Sequence, residues 1–334
     1  MVRSVVRSEA ENSRPSRWVV VGASGFVGSA LMAELQGRAL PVTAVSAPRL
    51  RCEASTAQEI AAEAVAVASS PQEPSFATLR RVFDGADVVI NAAGLATPGD
   101  GESPELTGAN ALLPAMVVLA ARAAGVRRVV HLSSASVQGH TASIDESPTR
   151  APFSAYSRSK ARGEEVLEIL AGDTVGGAVV TVRATSVQGP TRPTTRSLVR
   201  IAASPLASVA SPGTAQTPVS SINALAWFVV ETGLHGTAVP ALVLQPWEGL
   251  NVTEVLSAAG GRNPLRLPAW LCRSILAAGY GISKLAGERL QGPLRRVELM
   301  WFGQAQSPGW AERAGLVPEP ALRDVLRQAR GDED

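Results

Sequence analysis

Short β-branched runs alternate with stretches of helical length over the first 190 residues, and this alternation predicts a layered α/β fold. Residues 17–21 (RWVVV) read as a buried strand, because an apolar run without polar alternation suits a sheet covered on both faces. A glycine turn occupies 22–28, and a helical run continues to about 36. Residues 42–46 predict a second strand. Residues 55–69 (STAQEIAAEAVAVAS) are alanine-rich and predict a helix, with a strand at 64–68 as the competing reading; Pro71 and Pro74 break it. A helix at 75–83 leads to a strand at 86–91. A helix at 110–124 ends at Gly125, a residue suited to a helix stop. Residues 128–133 and 178–183 read as strands on either side of a helix at 155–170.

Strands and helices of this length in strict alternation imply a doubly wound parallel sheet of the Rossmann type. After Gly189-Pro190 the pattern changes. Residues 191–220 are rich in Pro, Ser and Thr, with one helix at about 196–203. A helix at 222–232 and a strand at 239–244 rejoin the sheet, and the remainder reads as short helical pieces between prolines. The expected organisation is a disordered start over 1–16, a sheet domain over 17–190, and a smaller, mostly helical substrate-binding region over 191–330. The first 16 residues have no apolar core and do not read as a secretory signal.

Composition narrows the function. The chain has 334 residues, 46% of them apolar, enough for one large α/β unit or two smaller ones. A net charge of +2 with 18% charged residues speaks against a nucleic-acid partner. Cys52 and Cys272 lie far apart, which fits a reducing, cytoplasmic setting. His131, His140 and His235 show no metal-ligand spacing. No apolar run reaches ~18 residues, so neither a spanning helix nor a membrane partner is expected. The stretch 265–290 is apolar with scattered arginines; helices covering a substrate pocket or core are favoured there over contact with a membrane surface.

Four segments carry candidate chemistry. Gly22, Gly25 and Gly28, with Ser24, Phe26 and Val27 between them, join a strand to a helix N-terminus, where backbone N–H groups and the helix dipole suit a pyrophosphate. An acid closing the second strand would read an NAD ribose; the first acid after Val45 is Glu53, while Arg49 and Arg51 stand nearby, which favours NADP(H) within NAD(P). Asn91-Ala92-Ala93-Gly94 ends a strand in small residues that let a cofactor approach the backbone. Ser133 and Ser134 end another strand at the same sheet edge, where a hydroxyl can meet a substrate oxygen.

Lysine usage sharpens this picture. Of 31 Lys and Arg residues only Lys160 and Lys284 are lysine, and each follows by four residues one of the two tyrosines, Tyr156 and Tyr280. At that spacing ammonium and phenol share a helix face, and the ammonium can lower the phenol pKa to suit acid–base work on a carbonyl or alcohol. Tyr156 lies 22 residues after Ser134 and over the edge that carries the glycine turn, so Tyr156/Lys160 is the expected working pair. Tyr280/Lys284 has no strand feeding it and reads as a surface or lid coincidence.

Five segments in order, VVVGASGFVGSAL, GADVVINAAG, GVRRVVHLSSASVQG, PFSAYSRSKARGEE and VVTVRATSVQGP, resemble the extended short-chain dehydrogenase/reductase family, the NAD(P)-dependent epimerase/dehydratase group, over about 17–235. The resemblance implies that Gly22, Gly25 and Gly28 cradle the pyrophosphate. It implies that Ser134 polarises the substrate carbonyl, that Tyr156 exchanges the proton, and that Lys160 holds the nicotinamide ribose. Asn110 matches the asparagine opening the family's central helix. Three departures stand out: no acidic stretch follows a third strand, Gln138 replaces an aromatic residue, and Leu113-Pro114 replaces Gly-Thr. The leading expectation is a nucleotide-activated sugar as substrate, reduced or epimerised, with Arg192, Arg196, Arg200 and Arg266 as candidates for its diphosphate. An apolar ketone or alcohol is the alternative, and a non-catalytic dinucleotide sensor the third reading. Helices 110–124 and 155–170 are apolar enough for a homodimer's helix bundle or for core packing.

Overall fold

The computed structural model describes residues 16–70, 73–96, 101–172, 178–285 and 290–331. The expected disordered start therefore lies almost wholly outside the described residues. The first half runs β1 (Trp18–Val21), α1 (Phe26–Gly37), β2 (Val42–Val45), α2 (Ala57–Ser69), α3 (Pro74–Phe83), β3 (Val88–Asn91), α4 (Pro104–Thr107), a π-helical turn (Gly108–Leu112), α5 (Leu113–Ala123), β4 (Arg128–Ser134), β5 (Ser143–Ile144), α6 (Ala155–Ala171) and β6 (Ala178–Ala184). The second half runs β7 (Ser186–Gln188), α7 (Pro193–Ala203), β8 (Ser208–Ala210), β9 (Val219–Ser221), α8 (Ile222–Leu234), β10 (Leu242–Leu244), α9 (Val252–Gly260), β11 (Leu265–Leu267), α10 (Ala269–Leu285), α11 (Gln291–Phe302), β12 (Ala305–Gln306), α12 (Trp310–Arg313) and α13 (Leu322–Arg330).

Six strands form one parallel sheet in the order β2-β1-β3-β4-β6-β10. The chain moves from β1 outward to β2, then returns to the other side of β1 with β3. That reversal leaves a crevice at the C-terminal ends of β1 and β3, the place where open α/β sheets take ligands. One face of the sheet (Val19, Val21, Val89, Val129) packs under α2, α3, α5 and α6; the other (Val20, Ile90, Val130, Val182) packs under α1 and α8.

Residues 64–68 form no strand. Helix α2 runs through them, started by a capping box in which Thr56 Oγ1 accepts from Glu59 N (3.2 Å) and Glu59 Oε2 accepts from Thr56 N (3.1 Å). An alanine-rich sequence with that cap prefers helix, so the sheet ends at β2. Helix α2 instead lies on α5 and α6. Nearly all of α5 is consequently buried within the chain itself, including Leu113, Met116, Val117, Val118 and Ala121, which accounts for its apolar sequence by core packing. The helical stretch Pro104–Ala123 is long and apolar enough to cross a membrane, and 78% of it is buried inside the protein. Glu105 and Arg122 interrupt it as an apolar run, which hides its length when uninterrupted runs alone are counted.

The second half is more regular than its proline content suggests. Helix α7 starts at Pro193, where a missing N–H costs nothing in the first turn. Helices α7, α9 and α13 enclose a small core of their own around Val209, Leu256 and Leu326. Helix α10 is a single 17-residue helix rather than short pieces. Tyr280 within it donates its hydroxyl to Glu298 Oε2 (2.8 Å), and Lys284 is exposed, so this second pair forms no acid–base couple.

Candidate active site

The glycine turn is built for close approach. Gly22 has φ +81°, and a Cβ there would lie 2.8 Å from Ala93 Cα, so β1 and the small residues ending β3 meet at the crevice. A Cβ on Gly28 would lie 2.0 Å from Gly22 O, which holds the first turn of α1 against the loop. Helix α1 begins after Gly25 with no side-chain cap, leaving its first amide groups open toward the crevice. An anionic pyrophosphate fits this cradle, beside exposed Ser24 and partly buried Phe26 and Val27. Beyond β2, Ser46 and Arg49 are exposed, and Arg49 has no hydrogen bond or ion pair among the described residues. Arg51 is taken up by Glu105 and Glu53, so of the two arginines only Arg49 is free for a phosphate.

Small residues also admit the deeper polar groups. A Cβ on Gly94 would lie 2.7 Å from Asn110 Oδ1 and 3.0 Å from Lys160 Nζ. Asn110 fastens the loop after β3: Leu95 N donates to its Oδ1 (3.0 Å), and its Nδ2 donates to Leu95 O (2.9 Å) and Ser159 Oγ (2.9 Å). Asn110 sits in the π-helical turn, where Leu113 N–H reaches back to Gly108 O. Pro114 has no N–H to give the Asn110 carbonyl, and widening the turn accommodates that loss. Asn91, Ala92 and Ala93 shape the floor, with Asn91 Oδ1 accepting from Ala93 N (3.2 Å) and Asn91 Nδ2 meeting His131 Nδ1 (3.2 Å). His131 is fully enclosed; burial, reinforced by Lys160, holds it neutral.

Ser134, Tyr156 and Lys160 come together at the end of β4. The Ser134 hydroxyl stands near enough to the Tyr156 phenol to favour its ionised form. Ser134 Oγ also accepts from Ser136 N (3.2 Å) and lies 2.8 Å from Ser136 Oγ, a second hydroxyl that the serine pair alone did not signal. Lys160 Nζ donates to Leu132 O (3.0 Å). Helix α6 is started just before Tyr156 by a capping arrangement of Ser154 and Ser157, which fixes the register of all three groups.

The expected electrostatics are only partly met. Burial pushes the Tyr156 phenol up, opposed by the Ser134 hydrogen bond and by Arg192. Burial also lowers the Lys160 ammonium to about 8, with Glu164 opposing. Desolvation thus outweighs the effects of Ser134 and Arg192 on the phenol, and Lys160 is not among the groups that lower it, so Tyr156 stays a protonated acid.

Of the four arginines expected to gather on a diphosphate, only Arg192 reaches the site. Its guanidinium lies 4.7 Å over the Phe26 ring and donates to Val187 O. Arg196, Arg200 and Arg266 are exposed along α7 and β11. Glu164 is a further group that motif spacing passed over. It accepts from Ser133 Oγ (2.7 Å), from Arg150 Nε (3.0 Å), and from Arg183 Nη2 (2.8 Å) and Nε (3.1 Å). This buried cluster ties α6 to β4 and β6, and Glu164 falls four residues after Lys160, the spacing that could have revealed it.

A phosphate cradle, a free helix N-terminus and a Ser–Tyr–Lys group at one sheet edge match a known pattern across residues 18–219, that of the NAD dependent epimerase/dehydratase family. The chain belongs to this family, whose characterised members are NAD-dependent enzymes. Among curated proteins it is 31% identical over 179 residues to a 4-hydroxy-2-methyl-3-oxo-4-farnesyl-3,4-dihydroquinoline-1-oxide ketoreductase of Stigmatella aurantiaca, covering 52% of this chain and 51% of that one. The match therefore spans about half the length of that relative. Among solved structures it resembles TunA, an NAD-dependent NDP-hexosamine 5,6-dehydratase, at 16% identity and TM-score 0.61, covering 95% of this chain and 99% of that one. It also resembles RMD from Pseudomonas aeruginosa complexed with NADPH, at 18% identity and TM-score 0.56, covering 95% and 98%. These structural likenesses establish a shared fold.

Proposed function

We propose that the protein is an NADP(H)-dependent reductase of an apolar ketone, with Ser134, Tyr156 and Lys160 as its catalytic residues. The observation that carries this is the Tyr156 phenol beside Ser134, with Lys160 one helical turn further on and within reach of Gly94, at the edge where the glycine cradle opens. When bound, the reduced nicotinamide supplies the hydride that reaches the carbonyl carbon. Ser134, backed by Ser136, orients and polarises the carbonyl oxygen. Tyr156 gives that oxygen its phenolic proton. Lys160 and Asn110 hold the ribose side of the cofactor, and Gly22, Gly25 and Gly28 hold its pyrophosphate.

The surroundings of Tyr156 support this substrate class. A diphosphate needs several convergent cations, and three of the four candidate arginines point into solvent elsewhere. The ketoreductase relative supports net reduction of a carbonyl on a lipophilic molecule. A nucleotide-activated sugar is the second reading, favoured by one observation: Arg192, whose guanidinium lies over Phe26 beside the glycine turn, is a cation near Tyr156. Oxidation of NADPH in the presence of lipophilic aryl and alkyl ketones, run beside nucleotide-4-keto sugars, tests the choice. Turnover of the ketones alone supports the first reading; turnover of the sugars alone overturns it.

Two predictions arise here. Arg49→Ala should raise KM for NADPH about tenfold while leaving NADH unchanged, because a charge-assisted phosphate contact is lost; an equal effect on both cofactors contradicts the assignment. The second concerns pH. Lys160 carries its proton below about 8 and loses it above, whereas Tyr156, pushed up by burial, stays protonated through that range. The reductive kcat/KM should therefore fall as pH rises through about 8, and a flat profile across that region contradicts a role for the ammonium.

A further inference from the structure

Helix α10 turns an apolar side away from the protein. Cys272, Leu276 and Ser283 face inward, while Trp270 is 68% exposed, Ile275 48% and Ile282 59%. Leu206, at 84%, and Leu265, at 57%, extend the same surface. Leu265 N donates to Ala207 O (2.8 Å), so the segments carrying these two leucines run alongside each other where β8 and β11 begin, and β11 runs through Pro268 directly into α10. Singly exposed apolar side chains are ordinary, but a run of large ones along one helix and its approach is a contact surface.

The charge carried by these segments has one sign, and Glu298, which α11 packs against Tyr280 of α10, is paired with Arg295. Residues 184–230 and 255–287 contain no Asp or Glu at all. Arg200, Arg262, Arg266, Arg273 and Lys284 are all exposed. On α10, Ile275 and Ile282 are seven residues apart and share one flank of the exposed arc, while Arg273 and Lys284, eleven apart, share the opposite flank, with Trp270 between the two. An exposed arc with isoleucines on one flank, cations on the other and a tryptophan between them suits a helix lying in a membrane interface.

We propose that this surface is a peripheral contact for an anionic phospholipid bilayer. Trp270 and Ile282 enter the headgroup–acyl boundary, and Arg266, Arg273 and Lys284 meet lipid phosphates. A second copy of the chain fits the face poorly, since a two-fold contact would bring its cations together with no acid to offset them. The contact lies on the substrate side. Tyr280 of α10 and Arg295 of α11 share Glu298, and Arg295 Nη2 donates to Gly139 O (2.9 Å), five residues after Ser134. The inference rests on this surface and not on the substrate reading.

Flotation of the full chain with vesicles tests it. Binding is expected to vesicles of phosphatidylcholine with phosphatidylglycerol, to be much weaker with phosphatidylcholine alone, and to fall as salt screens the cations. A Trp270→Ser/Ile282→Ser variant should lower partitioning about tenfold or more, and Arg266→Gln/Lys284→Gln should lower it as well. These side chains are exposed, so the thermal midpoint should match that of the parent. Failure to float with anionic vesicles overturns the proposal, as does a double apolar variant that floats like the parent. So does concentration-dependent self-association in solution that the apolar variant abolishes, which would assign the face to a second copy.

Discussion

Tyr156→Phe should lower kcat for carbonyl reduction by about 10²–10⁴ while leaving NADPH affinity nearly unchanged. The substitution removes only the hydroxyl beside Ser134, and the partly buried ring keeps its place at the start of α6. Loss of the proton donor forces water or no group at all to meet the developing alkoxide. The cofactor cradle formed by Gly22, Gly25 and Gly28 is untouched, so binding and chemistry separate cleanly in this variant. Single-turnover kinetics with saturating NADPH read the effect, and a rate within tenfold of the parent would remove Tyr156 from the mechanism.

Glu164→Ala should be the most destabilising single change at the site, by about 3–5 kcal/mol. Glu164 is 2% exposed, and Arg183, which it binds through two nitrogens, is fully buried. Removing the carboxylate leaves an uncompensated guanidinium in the core and frees the Ser133 hydroxyl on β4. The loss is expected because one partner is removed; a balanced apolar replacement of both Glu164 and Arg183 should cost much less. Denaturant midpoints measure the difference, and a loss below about 1 kcal/mol would show that water or another group reaches Arg183.

Much of the candidate site is legible in sequence because it depends on local spacing. Tyr156 and Lys160 share a helix face by periodicity alone, and the glycines at 22, 25 and 28 announce a strand-to-helix turn whatever the rest of the fold does. The first five sheet strands are similarly legible, since each is a run of apolar, largely β-branched residues between turn signals. What stayed hidden depends on contacts between distant segments. The alanine content already reads residues 55–69 as helix over a strand at 64–68, and the Thr56–Glu59 cap agrees, but that this helix lies on α5 and α6 is not a local property. The approach of Arg192 to Phe26 joins residues 166 positions apart, and the Glu164–Arg183 pair appears only once α6 lies across β6. The Tyr280–Lys284 spacing shows the converse, a local pattern whose tyrosine is claimed by Glu298 on another helix.

The most direct test of the central claim is label transfer. The protein is incubated with NADPH deuterated at the reactive position of C4 and a lipophilic ketone, and the alcohol is examined by mass spectrometry. The account predicts deuterium at the carbinol carbon with the parent protein and almost none in the same time with Tyr156→Phe. Alcohol formed without deuterium from either stereoisomer of the labelled cofactor, or labelled alcohol formed equally fast by Tyr156→Phe, would contradict it.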